Sequence, residues 1–232
     1  MKVSLVVPCF NEVKNLPVLI NRCERLIAQY PVEVILVDNG STDNSSSVIK
    51  KYPHIKLVRV DKNEGYGSGI LQGLQSATGE ILAWTHADLQ TDPNDLIKGL
   101  GYFLDSDYPE MIFVKGKRYD RPFVDLIFTF AMSIFETILL RKPMWDINAQ
   151  PTMFHRHFFQ RWKMPPEDFS LDLFAYFMAR KSKLLIRRFP VEFSKRLHGE
   201  SNWNVSLLGK YKFIKRTLSY SFNLKRKAGL HD

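Results

Sequence analysis

The stretch I81-L-A-W-T-H-A-D-L-Q-T-D-P93 decides how this chain is read. An apolar run ends at His86. Polar groups suited to ligand binding follow at once in His86, Asp88 and Gln90, and Pro93 opens an expected helix. A buried strand ending in this way sets a carboxylate beyond the carboxyl edge of a sheet, where a polyanion and its metal ion can sit. Taken alone, the stretch also fits a strand followed by an acidic, capped turn. The rest of the N-terminal half argues otherwise, because the same design recurs at two earlier strand ends.

Val3 to Val7 is a short β-branched run of the buried-strand type, and Leu16, Leu19, Cys23, Leu26 and Tyr30 then recur at helical spacing. Val32 to Val37 reads as a second strand, followed by N39-G-S-T-D-N44 and a helix over roughly 43–51. Ile55 to Val60 is a third strand, leading through K62-N-E-G-Y-G-S-G69 into a helix from Ile70; Glu80 to Thr85 is a fourth, with a helix from Pro93 to Leu104. Four strand–helix units in about 105 residues imply a mainly parallel sheet with helices on both faces. Three loops then lie beyond carboxyl ends: P8-C-F-N-E12, D38-N-G-S-T-D43 and H86-A-D-L-Q90. No G-x-G-x-x-G follows the first strand and no G-K-[ST] occurs, which counts against dinucleotide and P-loop folds. Further on, the spacing predicts a strand over 111–114, an apolar helix over 122–140, a strand over 152–155, a helix over 169–179 and a strand or two over 184–193.

The 232 residues carry a formal net charge of +9, unevenly placed. Residues 180–232 hold 14 basic side chains against three acids, Glu192, Glu200 and Asp232, whereas the first 179 residues are close to neutral. A near-neutral body with a basic tail points to an anionic surface as partner, whether lipid phosphate, bilayer headgroups or nucleic acid. In the tail, Leu207, Tyr211, Ile214, Leu218 and Phe222 share one helical arc, with Lys210, Lys215 and Arg216 outside it. Such a basic amphipathic helix can lie in a membrane interface or pack on the domain. Cys9 and Cys23 match no metal spacing and read as buried apolar groups in a reduced compartment. No secretory signal is expected, and Phe123 to Leu140, interrupted by Asp125 and Glu136, is expected not to span a bilayer.

Several residues can carry chemistry. Asp88 is the foremost metal-ligand candidate, because a diphosphate leaving group needs its charge neutralised by Mg²⁺ or Mn²⁺ on oxygen ligands. His86 is a nitrogen ligand suited to Mn²⁺, or a phosphate donor. Asp38, after V-I-L-V, is placed to accept from a base or ribose, or to serve as a turn aspartate. Glu12 has the same ambiguity at a helix start. Gly65, Gly67 and Gly69 permit close backbone approach. Arg118 and Arg121 in K115-G-K-R-Y-D-R121, and Arg196 in R196-L-H-G-E-S201, are phosphate clamps or a solvated charge cluster. Glu167, Asp168 and Asp172 surround a helix start after Pro165 and Pro166, and one of them can be a general base.

Together, S4-L-V-V-P-C-F-N-E12, L36-V-D-N-G-S-T-D43, N63-E-G-Y-G-S-G69 and W84-T-H-A-D-L-Q-T-D-P93 resemble the GT-A-fold glycosyltransferases of family 2. The nearest branch is the dolichyl- or polyprenyl-phosphate mannosyl- and glucosyltransferases and their bacterial relatives. The resemblance runs from residue 3 to about 201 and is strongest over the first 93. It implies an α/β, Rossmann-like GT-A domain over 1–201, with a nucleotide-binding half (1–105), an acceptor-side half (106–201) and a basic amphipathic helical tail (202–232). It also implies that Pro8, Asn11, Glu12 and Asp38 line the nucleotide pocket, with Asn63, Gly65 and Gly67 near its rim. By the same resemblance Asp88 and Gln90 belong to the metal motif, Arg118 and Arg196 contact phosphate, and D146-I-N-A-Q-P-T-M-F154 lies on the acceptor side. Two departures stand out. His86 occupies the place of a usual aspartate, and Asn202 that of a usual lysine.

The resulting expectation is an inverting glycosyltransferase that uses a nucleotide-diphosphate sugar and Mg²⁺ or Mn²⁺. The acceptor is a polyprenyl phosphate, with Arg118, Arg121 and Arg196 holding it and the basic tail docking on the cytoplasmic face of the membrane. No nucleic-acid partner is expected. The aromatic-rich 122–140 helix serves a subunit contact as readily as a membrane one. A saccharide-hydroxyl acceptor, with Asp168 or Asp172 as base, is the alternative within the enzyme class. A nucleotide-sugar-binding protein without turnover is the alternative outside it.

Overall fold

Alternation along the first strand sets the architecture. In β1 (Val3–Cys9), Val3, Leu5, Val7 and Cys9 join one apolar core, while Val6 joins a second. A strand apolar on both faces belongs inside a sheet covered on both sides. In β2 (Val32–Asn39), Val32, Val34 and Leu36 go to the first core and Ile35 and Val37 to the second. The computed structural model of the protein describes residues 1–194, 196–198, 207–227 and 229, and only the backbone of 207–213. Within it, β3 (Lys56–Val60), β4 (Ile81–Trp84), β5 (Ile112–Tyr119), β6 (Thr152–His155) and β7 (Leu185–Glu192) complete one sheet. Its order is β3-β2-β1-β4-β6-β5-β7. Every neighbouring pair is parallel except those made by β6, which runs antiparallel to both β4 and β5.

Helices α1 (Leu16–Gln29) and α4 (Asp95–Leu104) cover the first core through Leu16, Leu19, Ile20 and Cys23, and through Leu96, Leu100 and Phe103. On the opposite face lie α3 (Tyr66–Ser76) and α7 (Leu171–Lys181), whose Ile70, Leu74, Leu171 and Phe177 pack around Trp84 and Phe154. Each fully buried aliphatic or aromatic side chain contributes about 1.5–3 kcal/mol of transfer free energy. Both cysteines are free and buried. The remaining helices are α2 (Ser45–Ile49), α5 (Phe123–Leu140), α6 (Arg156–Gln160) and α8 (Leu207–Lys227), with a 3₁₀ turn at Pro109–Met111.

Three elements depart from the sequence reading. First, α3 begins at Tyr66, so Gly67 and Gly69 lie in its first turn rather than in the preceding loop. Their missing Cβ atoms explain this. At Gly67 a Cβ would stand 2.6 Å from the carbonyl oxygen of Asp168, and at Gly69 it would press on Asn39 and Pro8. Second, α6 was not anticipated, because five residues are too short to show a helical period. Third, the buried face of the tail helix is offset from the expected arc. Ser221 and Leu224 are buried and Ile214 and Leu218 half-buried, whereas Phe222 is exposed and meets the Phe135 ring of α5. The partner that selects this face is Glu136 of α5, whose carboxylate accepts from the Ser221 hydroxyl. Leu207 and Tyr211 of the expected arc, and Lys210 outside it, fall among side chains outside the described set, and Asn202 lies outside the described residues.

By length and composition alone, α5 is long and apolar enough to cross a membrane. Its two acids do not interrupt the outward face, since Glu136 is buried against α8. Phe123, Val124, Ile127, Phe130, Ile134 and Ile138 form an exposed apolar stripe, with Phe123 and Val124 each 75% exposed.

Candidate active site

The chain leaves β1 to build β2 on one side and later returns to place β4 on the other. That reversal opens a crevice at the carboxyl ends of β1, β2 and β4, the usual ligand position in such sheets. Because β6 is antiparallel, its start also reaches this edge: Trp84 pairs with Thr152, and Gln150 lies just beyond. The ends of β5 and β7 close the other side through Lys115 to Arg118 and through Ser194 and Arg196.

On the β1–β2 side, Asp38 is 1% exposed. One of its carboxylate oxygens accepts from the Ser41 amide at 3.0 Å, and the other is buried without a hydrogen-bond partner. An unsatisfied buried carboxylate oxygen is costly in isolation and suits a ligand N–H or O–H. Pro8 lies beside Asn39 and Gly69. Asn11, at φ 57°, ties two loops together instead: its Oδ1 accepts from the Thr42 amide at 2.9 Å and the Asp43 amide at 3.3 Å. Asn63 caps the next loop by accepting from the Gly65 amide, and Asn39 donates to the Gly65 carbonyl at 2.8 Å. Gly65 itself, at φ 132°, abuts the Glu167 carbonyl, so Gly65 and Gly67 pack against the 166–168 segment.

Asp88 is the electrostatic centre. One oxygen accepts from the Gln90 amide at 3.2 Å, and the other pairs with Arg196 at 2.9 Å. Gln90 reinforces the pairing by accepting from Arg196 Nε at 3.1 Å and donating to the Ser194 carbonyl at 3.2 Å. The segment after β7 is thereby strapped over the loop after β4. Burial raises the Glu12 carboxyl above its ordinary range, and Asp88 adds to the rise against the hydrogen bond from Asn15. Burial lowers the His86 imidazole against the opposing pull of Asp88 and Asp172. His86, Glu12, Asp88 and Arg196 thus share one field.

Among the described residues no cluster of three His, Cys, Asp or Glu side chains is poised to hold a metal. A single carboxylate still fits Mg²⁺ or Mn²⁺ when substrate phosphates supply most of the ligands. Asp88 is the residue that can do this.

The residues expected on the acceptor side form two buried networks. Lys115, fully buried, donates to Thr152 Oγ1 at 2.7 Å and stands 3.6 Å from Asp172. Asp172 also accepts from Gln150 Nε2 at 2.7 Å, and burial brings the Lys115 ammonium down to about 8. In the second network Asp146 receives Arg118 through Nε at 2.9 Å, through Nη2 and through the Arg118 amide at 3.0 Å. Arg188 joins it, donating to the carbonyls of Gly116, Trp145 and Asp146. Arg118 and Arg121 both lie over the Phe193 ring, at 5.0 and 5.3 Å. Asp168 is set apart from this core. It accepts from the Ser170 amide and pairs with Arg216 of α8 at 3.3 Å.

The structure therefore gathers Asp88, Gln90 and Arg196 at one point, with Glu12 and His86 within electrostatic reach of Asp88 and Arg196, and Asp172 and Arg118 within reach of His86. Asp168 stands at the α8 contact, and Asn63, Gly65 and Gly67 at the 166–168 segment. Sequence reading passed over Lys115 and Arg188 as functional residues, and named Asp146 and Gln150 only as part of the expected acceptor-side segment. Lys115 did leave a signal, a lone ionisable side chain inside the run I112-F-V-K115, where burial demands a partner. Arg188 left none.

The chain is similar to known proteins in sequence and in fold. Two undecaprenyl-phosphate 4-deoxy-4-formamido-L-arabinose transferases are similar in sequence. That of Sodalis glossinidius is 30% identical over 220 residues, covering 89% of this chain and 64% of its own length. That of Yersinia enterocolitica is 38% identical over 103 residues, covering 41% of this chain and 31% of its own length. The chain thus spans less than two thirds of either relative. In fold it is similar to glucosyl-3-phosphoglycerate synthase from Mycobacterium tuberculosis. The complex of that protein with Mn²⁺, UDP and glucosyl-3-phosphoglycerate superposes with a TM-score of 0.72 at 16% identity, covering 100% of this chain and 81% of the other. The complex with Mn²⁺, UDP-glucose and phosphoglyceric acid gives 0.75 with the same identity and coverage. The fold is GT-A, residues 4–184 match the Glycosyl transferase family 2 profile, and the chain belongs to that family.

Proposed function

We propose that this chain transfers a sugar from a nucleotide-diphosphate sugar to a polyprenyl phosphate, with inversion at the anomeric carbon. The observation that carries the acceptor assignment is the commitment of both acceptor-side acids. Asp172 is held by Lys115 and Gln150, and Asp168 by its own turn and Arg216. Both carboxylates are thus already engaged, whereas a sugar-hydroxyl acceptor needs a base to take its proton. A phosphate oxygen is already ionised near neutral pH and attacks without a base. The similarity to two undecaprenyl-phosphate transferases supports the same reading.

On the donor side, the free oxygen of Asp38 receives the base or ribose, with Pro8, Asn11 and Glu12 framing the pocket and Asn63, Gly65 and Gly67 ordering its far wall. Asp88, with Gln90 and His86 beside it, would hold Mg²⁺ or Mn²⁺ against the diphosphate, where the ion neutralises leaving-group charge. Arg196 strengthens that neutralisation by swinging from Asp88 to phosphate, and Arg118 and Arg121 steer the acceptor anion. The exposed apolar stripe of α5 and the basic residues of α8 dock the domain on the bilayer that carries the lipid, at its cytoplasmic face.

Thermal unfolding with UDP, GDP, CDP and TDP, each with and without Mn²⁺ or Mg²⁺, tests the donor end. One nucleotide should raise the midpoint, by more when metal is present, and Asp88→Asn should erase the metal increment. If no nucleotide moves the midpoint, the transferase reading is lost.

A further inference from the structure

A column of stacked groups runs from the tail helix to the donor loop. The Arg216 guanidinium of α8 lies 5.5 Å from the Phe169 ring centre. Phe169 stacks on Tyr66 with centroids 4.8 Å apart and planes 9° from parallel. Tyr66 stacks in turn on His86 at 5.4 Å and 28°. Its outer end is pinned a second time, since Arg216 pairs with Asp168 beside Phe169. The inner end is pinned from below: the Tyr66 hydroxyl is 3.5 Å from Gln150 Nε2, which donates to Asp172.

The backbone is built to bring these rings together. The Ser68 amide donates to the Glu167 carbonyl at 2.7 Å, and a Cβ on Gly65 or Gly67 would stand 2.5 or 2.6 Å from carbonyl oxygens of 167 or 168. Only glycines let the start of α3 approach the 166–168 segment so closely, and that approach lays Phe169 over Tyr66. His86 is thus held by its stack. No side-chain hydrogen bond fixes it among the described residues. Stacked aromatic pairs contribute modest energy but fix ring orientation firmly.

We propose that Tyr66 and Phe169 are positioning residues that hold the His86 imidazole beside Asp88, and that Arg216 makes this hold depend on the seating of α8. His86 stands beside Asp88 where the donor diphosphate and its metal ion bind under the transfer reading, so only the kinetic consequence rests on that reading; the mechanical linkage does not. The tail helix would then do more than attach the protein to a surface. Its seating would be communicated to the catalytic loop through four groups in line.

The test pairs ring-proton NMR of His86, assigned with His86→Gln, with steady-state transfer kinetics. Tyr66→Leu should shift the His86 resonance, because the ring current above it is gone. Phe169→Leu and Arg216→Gln should move it in the same direction by smaller steps. In kinetics, Tyr66→Leu should lower kcat by about ten- to a hundredfold while donor KM stays within about twofold, and Tyr66→Phe, which keeps the ring, should restore most of the loss. An unmoved His86 resonance in both Phe169→Leu and Arg216→Gln overturns the linkage. Equal damage from Tyr66→Phe and Tyr66→Leu overturns it too, by placing the effect on the hydroxyl. Resonances that move as expected in a protein that turns over no donor uphold the column and reject the transferase reading instead.

Discussion

Single residues in this site are defined by what they are bound to. Asp88 and Asp172 are both carboxylates near His86, yet one faces a guanidinium that can leave and the other a buried ammonium that cannot. Taking Lys115 away strands the Asp172 carboxylate in the core, and breaking a buried pair in this way costs about 3–5 kcal/mol. Lys115→Met should therefore lower the denaturant midpoint sharply, and Lys115→Met combined with Asp172→Asn should lose less than the two single changes together. Strictly additive losses would show that the pair is not coupled. At this scale the sequence was informative wherever a residue's position follows from a strand end, as for Asp38 and Asp88. It was silent where the role follows from a partner far along the chain. Arg118 reads in the sequence as a lone phosphate clamp, and only the fold shows that Asp146, 28 residues away, orients it.

At the scale of elements, strand runs and helical periods placed β1 to β4 and their helices. A four-residue strand cannot announce its direction, so the antiparallel insertion of β6 between β4 and β5 had to be seen. That insertion is what carries Gln150 to the donor edge. The contrast between two glycines tests how tightly α3 is pressed. Gly67→Ala puts a Cβ 2.6 Å from a backbone oxygen and should cost about 1–3 kcal/mol. Gly101→Ala, in α4 with nothing within 4 Å of the added Cβ, should instead stabilise by about 0.4–1 kcal/mol. Equal effects in thermal melts would contradict the close approach. The α5–α8 contact carries its own signature. Burial raises the Glu136 carboxyl from 4.5 to about 7, against the hydrogen bond from Ser221. The folded protein therefore binds this proton more tightly than the unfolded chain. The contribution favours folding most below about 4.5, declines as pH rises to about 7, and is flat above. Glu136→Gln should remove that slope and gain up to about 3 kcal/mol over the wild type at pH 8. Parallel stability curves for the two proteins between those pH values would refute the assignment.

For the whole molecule, a GT-A domain presents a crevice at the carboxyl edge of its sheet, and α5 and α8 pack on one another. The sequence conveyed the basic character of the tail and the apolar character of 122–140. It did not show that Glu136 turns inward and leaves the apolar stripe of α5 uninterrupted, because that depends on Ser221, 85 residues later. Stripe and basic helix are expected to bind anionic vesicles together, and replacing Ile127, Phe130 and Ile134 by serine should release the protein in a flotation assay without loss of nucleotide binding. The most direct measurement of the central claim is product formation from a labelled nucleotide sugar offered undecaprenyl phosphate and undecaprenol side by side. Labelled lipid-linked sugar from the phosphate alone is the expected result. Transfer to the alcohol, or to a saccharide hydroxyl with the phosphate left untouched, would contradict the assignment of an acceptor that needs no base.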